Sequence, residues 1–273
     1  TKNNYAEFEQ NARLVNEEQV IEAEKIRYDG EKDQAYVDGR SQLRDKGRTI
    51  DSDNAFHDAT NKVTQFRGNV IVQDSSQTIV SDSLDYFSEL DLSVAKGNVV
   101  LVDEAEDLKV ESEYAEYYNE TGYLKASGRP LVSNLIDQDT LWLSADTLVS
   151  YKIDSIDARI LVAQHDVRVF KSDLQSICDS LVSSDTMTVF LKDKQINNIF
   201  LDKNAFIINT GDELFFNQIK GRDIEAFFEE NELRRMDVQG NGESVYYLLD
   251  DVEAYVGVNK TICSEMLVFF GSN

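Results

Sequence analysis

Few residues of this chain have the types and spacing that catalysis requires. The two histidines, His57 and His165, lie outside any H-E-x-x-H pattern, and the sequence contains no G-x-S-x-G or P-loop motif. Asp and Glu number 51 of 273 residues, so chance alone brings carboxylates together. The acidic turns also depart from the calcium-loop pattern D-x-[DN]-x-[DN]-G. We therefore expect no enzymatic activity, no metal site and no cofactor.

The two cysteines, Cys178 and Cys263, are interpreted as small core residues. Both are assigned to the same position of a repeat, two repeats apart, where other repeats have Ala, Ser or Gly. With about two strands per repeat in each sheet and about 4.8 Å per strand, the two residues would lie roughly 19 Å apart. A disulfide tolerates a Cα separation of about 7 Å at most. Both cysteines are predicted to be free thiols.

The side chains that form a regular pattern in this chain are apolar, and the pattern is a sequence repeat. A small residue, two spacers and an apolar residue recur as Ala23/Ile26, Ser52/Ala55, Ser81/Leu84, Ser112/Ala115, Ala145/Leu148, Cys178/Leu181, Gly221/Ile224 and Cys263/Met266. A glycine follows each of the first four starts at a constant distance, at Gly39, Gly68, Gly97 and Gly128, and reappears at Gly240. Repeats of this length stack on their neighbours to share a core. The pattern predicts an elongated array, not a compact enzyme.

Each repeat is predicted to form an antiparallel hairpin followed by a bend. Residues 78–86 end with alternating apolar and charged residues, and polar turns such as 119–122 lead into second strands such as 123–127. The glycine that follows indicates a bulge or bend within a strand. If the strand crosses there to a facing sheet, each repeat contributes to both layers. The predicted fold class is all-β: an elongated, repetitive antiparallel slab of two sheets.

Two observations refine this prediction. Later repeats have Gln164-His165-Asp166 and Lys203-Asn204 where earlier repeats have glycine, so the bend does not require glycine. Residues 6–25 have a helix-like composition, but Gln10-Asn11 aligns with Gly68-Asn69, so strands are predicted there too. With a single proline and no linker composition, residues 1–273 are predicted to form one domain that begins and ends in mid-repeat.

The net charge of the chain argues against nucleic-acid partners. Lys and Arg number 27 against 51 Asp and Glu, which gives a formal net charge of -24. The acids are spread over the whole length, so phosphate backbones would be repelled by the general surface. No stretch approaches the roughly 18 apolar residues of a membrane-spanning helix.

The ordered repetition of these strands resembles the OstA-like family of periplasmic lipopolysaccharide-transport proteins, which includes LptA and the N-terminal domain of LptD. The resemblance rests mainly on Ser81-Asp82-Ser83-Leu84-Asp85-Tyr86, on Ala95-Lys96-Gly97-Asn98-Val99-Val100-Leu101 and on Ala145-Asp146-Thr147-Leu148. It implies a folded-over pair of sheets, the β-jelly roll, whose groove holds lipid A acyl chains. It also implies head-to-tail stacking, with other transport proteins or with further copies of the chain, through edge strands.

The resemblance further implies a periplasmic location in a Gram-negative envelope, with any outer-membrane association arising from segments beyond these residues. The candidate groove residues are Ile26, Tyr28, Leu84, Tyr86 and Leu148 in first strands, and Val70, Val72, Val99, Leu101, Leu131, Val167, Val169, Phe206 and Ile208 after the bend. Phosphate on lipid A would need cations at the groove mouth, either divalent ions or basic residues such as Arg40, Arg44, Arg67, Arg129, Arg159 and Arg168. The alternative interpretation is a structural or adhesive β-repeat scaffold whose core is filled by its own side chains.

Overall fold

The computed structural model describes residues 4–16, 19–45, 47–75, 77–104, 107–118, 120–136, 139–172, 180–192, 195–210, 214–230, 232–250, 252 and 254–270. These residues are almost all in antiparallel β-strands, which confirms the all-β prediction. The chain divides into two compact units, Thr1–Gly128 and Arg129–Asn273. Within the described ranges no helix has the length and apolarity needed to cross a membrane.

Most strands of the first unit are long, with 11 or 12 residues, because both halves of each bent strand take part in pairing. They are β1 (Tyr5–Asn16), β2 (Gln19–Asp29), β3 (Gln34–Asp45), β4 (Arg48–Ser52), β5 (Asn54–Asp58), β6 (Val63–Gln73), β7 (Gln77–Phe87), β8 (Leu92–Asp103), β9 (Leu108–Tyr118) and β10 (Tyr123–Ser127). Strands that follow one another in sequence pair antiparallel, as in β6–β7, β7–β8 and β8–β9. The helix-like composition of residues 6–25 is thus overridden by strand pairing between β1 and β2.

The second unit is also built almost entirely of β-strands. Its strands are β11 (Leu131–Ile136), β12 (Asp139–Ser144), β13 (Thr147–Ile153), β14 (Ala158–Ser172), β15 (Ser180–Lys192), β16 (Gln195–Asp202), β17 (Ala205–Asn209), β18 (Asn217–Gly221), β19 (Asp223–Glu229), β20 (Glu232–Leu249) and β21 (Tyr255–Phe269). A short 3₁₀ turn, Asp154–Ile156, joins β13 to β14.

The long strands bend where the repeated glycine was predicted to act. In β6 the pairing with β7 shifts register between Arg67 and Val70, which leaves Gly68 and Asn69 as a bulge. Both bulge residues have positive φ, 75° at Gly68 and 45° at Asn69. Glycine adopts this region freely and asparagine tolerates it better than most residues. The Gly-Asn pair is therefore the local cause of the bend.

The bends without glycine confirm the alignment made from sequence. Positive φ recurs at the paired positions Gln10-Asn11, His165-Asp166 and Lys203-Asn204. A carboxylate from the preceding strand also holds the bend: the amide of Asn69 donates to Asp53 Oδ2 at 2.7 Å. The same bond joins Asn98 to Asp82 at 3.0 Å and Asn204 to Asp185 at 3.1 Å.

One repeat assignment is corrected by the register. Ser184 lies opposite Val167 beside a bulge, as Ser81 lies opposite Val70. Ser184 therefore occupies the small-residue position that was assigned to Cys178, which itself lies outside the described residues. The degenerate motif allowed a start several residues too early, because a small residue followed by an apolar one occurs by chance.

Cys263 does occupy the small-residue position, opposite Gly242 across the bulge of β20. It is a free thiol, as predicted. The thiol packs against the backbone of its partner strand, with Sγ 3.9 Å from the Gly242 carbonyl oxygen.

Side chains from the two halves of each bent strand meet in one core. In the first unit, Phe66 and its cross-strand partner Leu84 on one side of the bends cluster with Val70 and Val99 on the other side. All four are nearly fully buried, with relative exposures between 0% and 2%. Each buried side chain of this size contributes about 1.5–3 kcal/mol. The bend thus creates two facing layers, and the apolar alternation fills the space between them.

Candidate functional site

The candidate site is the face that the two layers turn toward each other, which we call the inner face. In the first unit it encloses a cavity of about 20 Å³. The cavity is lined mainly by aliphatic side chains, among them Leu84, Ala95, Val99, Leu101 and Val110. A water molecule needs about 10–15 Å³ on this measure, so the space holds about one water. An acyl chain would enter only if the layers separated.

Most of the predicted groove residues lie on the inner face. Seven of them are buried: Ile26, Val70, Val72, Leu84, Val99, Leu148 and Val167. Four more are half-buried on the same face: Tyr28, Tyr86, Leu101 and Val169. The alternation rule therefore identified the lining of this face, although whether the lining holds lipid stays a prediction.

Three predicted positions are corrected, because Leu131, Phe206 and Ile208 lie on the opposite face. In β17 the first residue after the bend is Ala205, which is fully buried and paired with Gly221. Alternation then turns Phe206 and Ile208 away from the inner face.

The same displacement by one residue occurs in β11. Pro130 is the first residue after the bend; it is buried, and its carbonyl accepts the N–H of Ala145 at 3.4 Å. Leu131 is paired with Ser144 and points the other way. The sequence prediction favoured the first large apolar residue, whereas the inner face begins at the first residue after the positive-φ pair, whatever its size.

The hairpin ends of the inner face lie farthest from the bends, and we call them the mouth of each unit. At the mouth of the first unit, Tyr28 donates to Asp33 Oδ1 at 2.6 Å and Tyr86 donates to Asp91 Oδ1 at 2.9 Å. These bonds fix both rings against their own turns. The guanidinium of Arg48, from β4, lies 5.8 Å from the centroid of the Tyr86 ring. This cation–π contact joins the two layers and is worth about 0.5–1 kcal/mol at an exposed site.

Sequence reasoning missed Arg48. Its signal was available, because Arg48 lies two residues before the inner-face residue Ile50 and directly after the turn glycine Gly47. The period-two rule therefore puts a cation on the inner face at the hairpin end. A search restricted to apolar residues could not find it.

Five of the six arginines considered as phosphate ligands lie away from a mouth. Arg40, Arg67, Arg129 and Arg168 lie at or beside bends, and Arg44 is on the face opposite Ile50. Several already have acidic partners: Arg67 is 2.6 Å from Asp85, and Arg168 is 3.0 Å from Asp166. Arg159 alone among the six is on the inner face at a hairpin end, where its Nη1 donates to Ser150 Oγ at 2.9 Å.

A histidine also lies on the inner face of the first unit. His57 occupies the repeat position of Tyr28 and Tyr86, as expected from sequence, and its Nδ1 is 2.9 Å from Thr64 Oγ1. Burial lowers the pKa of His57 below its ordinary value, and the charges of Asp33 and Asp58 oppose this shift only in part. The imidazole is therefore neutral in the folded protein near pH 7.

We expect the first unit to lose stability as the pH falls below about 6.5, because the unfolded chain then binds a proton that the folded His57 resists. The loss continues until the pH passes the lower folded pKa. His57→Gln, which keeps a polar partner for Thr64, is expected to flatten this part of the pH profile of the urea midpoint. His165→Gln, at an exposed bend, is the control; an unchanged profile in His57→Gln would contradict the assignment.

The first and last strands carry exposed apolar side chains. Within the described residues β1 pairs with β2, and β21 pairs with β20. Phe8 is 52% exposed on β1, and Ile262 and Phe269 are 69% and 71% exposed on β21. Such edges present backbone groups that can bind another strand. Stacking through them stays a prediction.

Among the described residues, no three His, Cys, Asp or Glu side chains come together as a metal site.

Comparison with known proteins gives one family: residues 2–82 match the model described as OstA-like protein. The match confirms the resemblance inferred from the repeat, over the segment that contains β1 to β6 and the first half of β7. No curated protein matches the chain significantly.

Proposed function

From the OstA-like match of residues 2–82, we propose that this protein is a noncatalytic component of lipopolysaccharide transport and outer-membrane assembly. In this proposal the two layers of each unit shield lipid acyl chains from water between their inner faces. The family gives the general context, a transport system of the bacterial envelope. The lipid cargo, the periplasmic location and the partners named below all belong to this proposal.

The observation that carries the proposal is the composition of the inner face. In the first unit Phe66, Leu84, Val70 and Val99 line it near the bend, where the buried hydroxyls of Ser41 and Ser52 satisfy each other at 3.0 Å. At the hairpin ends the tyrosine hydroxyls are bonded to their own turns. Moving each methylene of an acyl chain from water to such a surface gains about 0.8 kcal/mol. A face of this kind binds chains by area, without a catalytic group.

Entry of a chain requires the layers to move apart at the mouth. The bends are held by backbone pairing and by carboxylate–amide bonds such as Asp53 to Asn69, so they are the closed side. At the mouth the Arg48–Tyr86 contact joins the layers, and it costs little to break. We propose that acyl chains enter there, which explains how a cavity of about 20 Å³ at rest could accept a larger ligand.

The proposed partners are lipopolysaccharide or lipid A as cargo, and other lipopolysaccharide-transport proteins or further copies of this chain as neighbours. Edge strands β1 and β21 would join such neighbours by strand addition. Nucleic acid is not a proposed partner, since the chain carries a formal net charge of -24.

Filling the cavity tests the proposal. Ala95→Leu adds apolar atoms to the cavity lining and is expected to weaken binding of an acylated fluorescent probe about tenfold, because the added side chain occupies the space the acyl chain needs. Val100→Leu enlarges a side chain of the same strand, β8, that lies beyond the bend and on the opposite face, and it is the control. Equal binding by both variants and the unchanged protein would contradict a cargo site between the layers.

A scaffold with a dry core is the second candidate, and the close packing of the first unit favours it. In a scaffold, the inner face would stabilise the fold alone and the exposed edges would carry the function. The two candidates differ in one result, because only the cargo proposal predicts saturable binding of acylated probes to the folded protein.

A further inference from the structure

Two cations face each other on the inner face of the second unit. Lys152 on β13 is the cross-strand partner of Arg159 on β14, beside the turn Asp154–Ile156. Residues paired in this way have Cβ atoms about 4.5–5.5 Å apart and on the same face, and like charges directly opposite destabilise a sheet. The pairing of two like charges therefore costs folding stability.

The direction of the two side chains follows from the register. Leu148 lies opposite Ala163 and both are buried, with exposures of 4% and 0%. Side chains alternate along a strand, so the residues four positions away on each strand, Lys152 and Arg159, are on this same face. The bond from Arg159 Nη1 to Ser150 Oγ, at 2.9 Å, independently directs the guanidinium along it.

The pair has no acidic partner in the part of the chain that the structure describes. Neither Lys152 nor Arg159 forms an ion pair with a described carboxylate, although Asp and Glu outnumber Lys and Arg by 51 to 27. Other cations of the second unit do find acids close by: Arg168 pairs with Asp166, and Arg222 with Asp223 at 2.7 Å. Two adjacent cations that form no ion pair with any described carboxylate have capacity for an external anion.

We propose that Lys152 and Arg159 form an anion site at the mouth of the second unit, which binds the phosphate group of an anionic amphiphile whose chains lie on the apolar face beyond it. Arg159 offers a planar fork that matches phosphate oxygens, and Lys152 offers a compact charge from the opposite strand. Binding of an amphiphile rests on the proposed function. The anion site itself does not, because inorganic phosphate offers the same oxygens to Lys152 and Arg159.

The test uses the whole chain and three probes: inorganic phosphate, short-chain phosphatidic acid, and diacylglycerol with the same chains. The variant is Lys152→Gln/Arg159→Gln. The control is Arg168→Gln/Lys203→Gln, which removes the same charge from two exposed bend residues of the same unit. We expect the first variant to bind phosphatidic acid at least about tenfold more weakly, since charge-assisted bonds are lost. Diacylglycerol binding should be unchanged in both variants.

Stability gives a second measurement of opposite sign. Without ligand, Lys152→Gln/Arg159→Gln is expected to melt at a higher temperature than the unchanged protein, because the like-charge pair is removed. A variant that binds less because it is unfolded would melt lower, and this separates the two causes.

The outcomes separate the two proposals. If phosphatidic acid binds the variant and the unchanged protein equally, the anion site is wrong, while diacylglycerol binding would still support the acyl-chain proposal. If phosphate binds through Lys152 and Arg159 but no amphiphile binds, the site takes free phosphate and the proposed function fails. If no probe binds, both are wrong.

Discussion

Gly97→Val is expected to destabilise the first unit by about 3 kcal/mol or more, as measured by urea unfolding. Gly97 has a φ of 75°, a conformation that a β-branched residue adopts only under strain. A side chain at this position would also overlap the carboxylate of Asp82, which accepts the amide of Asn98 across the same bend. Both effects act on the folded state.

Lys203→Ala is the matched control, because Lys203 already holds a φ of 59° at an equivalent bend with a non-glycine residue. Its expected change is within about 0.5 kcal/mol. A cycle with Asp82→Ala separates the two causes, since removing the carboxylate relieves the overlap and leaves the backbone strain. A Gly97→Val protein as stable as the original would contradict the account of the bend.

Phe66→Ala is expected to cost about 3–5 kcal/mol of unfolding free energy. Phe66 is 2% exposed and lies at the centre of the cluster that joins the two layers. Phe56→Ala is the control on the neighbouring strand, where Phe56 turns to the other face and packs 4.9 Å from Tyr36. We expect it to lose less than half as much, because its ring is only half-buried.

The same pair of variants also addresses cargo. A cavity at Phe66 enlarges the space between the layers, so an acylated probe should raise the melting temperature of Phe66→Ala more than that of Phe56→Ala. Similar losses of stability in the two variants would mean that the layers are not held together by this cluster.

The bends were predictable because their cause is local. A Gly-Asn pair such as Gly97-Asn98 supplies the positive φ values itself, and alignment then located the bends at Gln10-Asn11 and Lys203-Asn204, where glycine is absent. The inner-face residues near those bends, such as Val99 and Leu84, followed from the period of two.

The errors arose where size and position disagree. Ala205 and Pro130 are small, so they were not recognised as the first inner-face residues after the bend. The large residues that follow them, Phe206 and Leu131, were assigned to the inner face instead. The repeat start was assigned to Cys178 instead of Ser184 because that position is defined by strand pairing across the bulge, which the sequence motif does not show.

The contacts at the mouths could not be inferred from the pattern of apolar residues in the sequence. Arg48 and Tyr86 are far apart in sequence and meet only when the layers face each other. The Lys152–Arg159 pair required the register of β13 on β14, which depends on the length of the turn between them. Such contacts belong to the packing of strands, and a sequence pattern specifies strands one at a time.

The most direct test of the central claim is photocrosslinking of lipopolysaccharide to the folded, purified protein. The photoreactive residue would replace Leu84, Val99 or Val72 on the inner face, and Ile71, which is 40% exposed beside Val72 on the same strand, as the control. Glu89, at an exposed turn, is a second control. The account predicts lipid adducts at the three inner positions and none at Ile71 or Glu89; a folded protein without inner adducts, or with equal adducts at Val72 and Ile71, would contradict it.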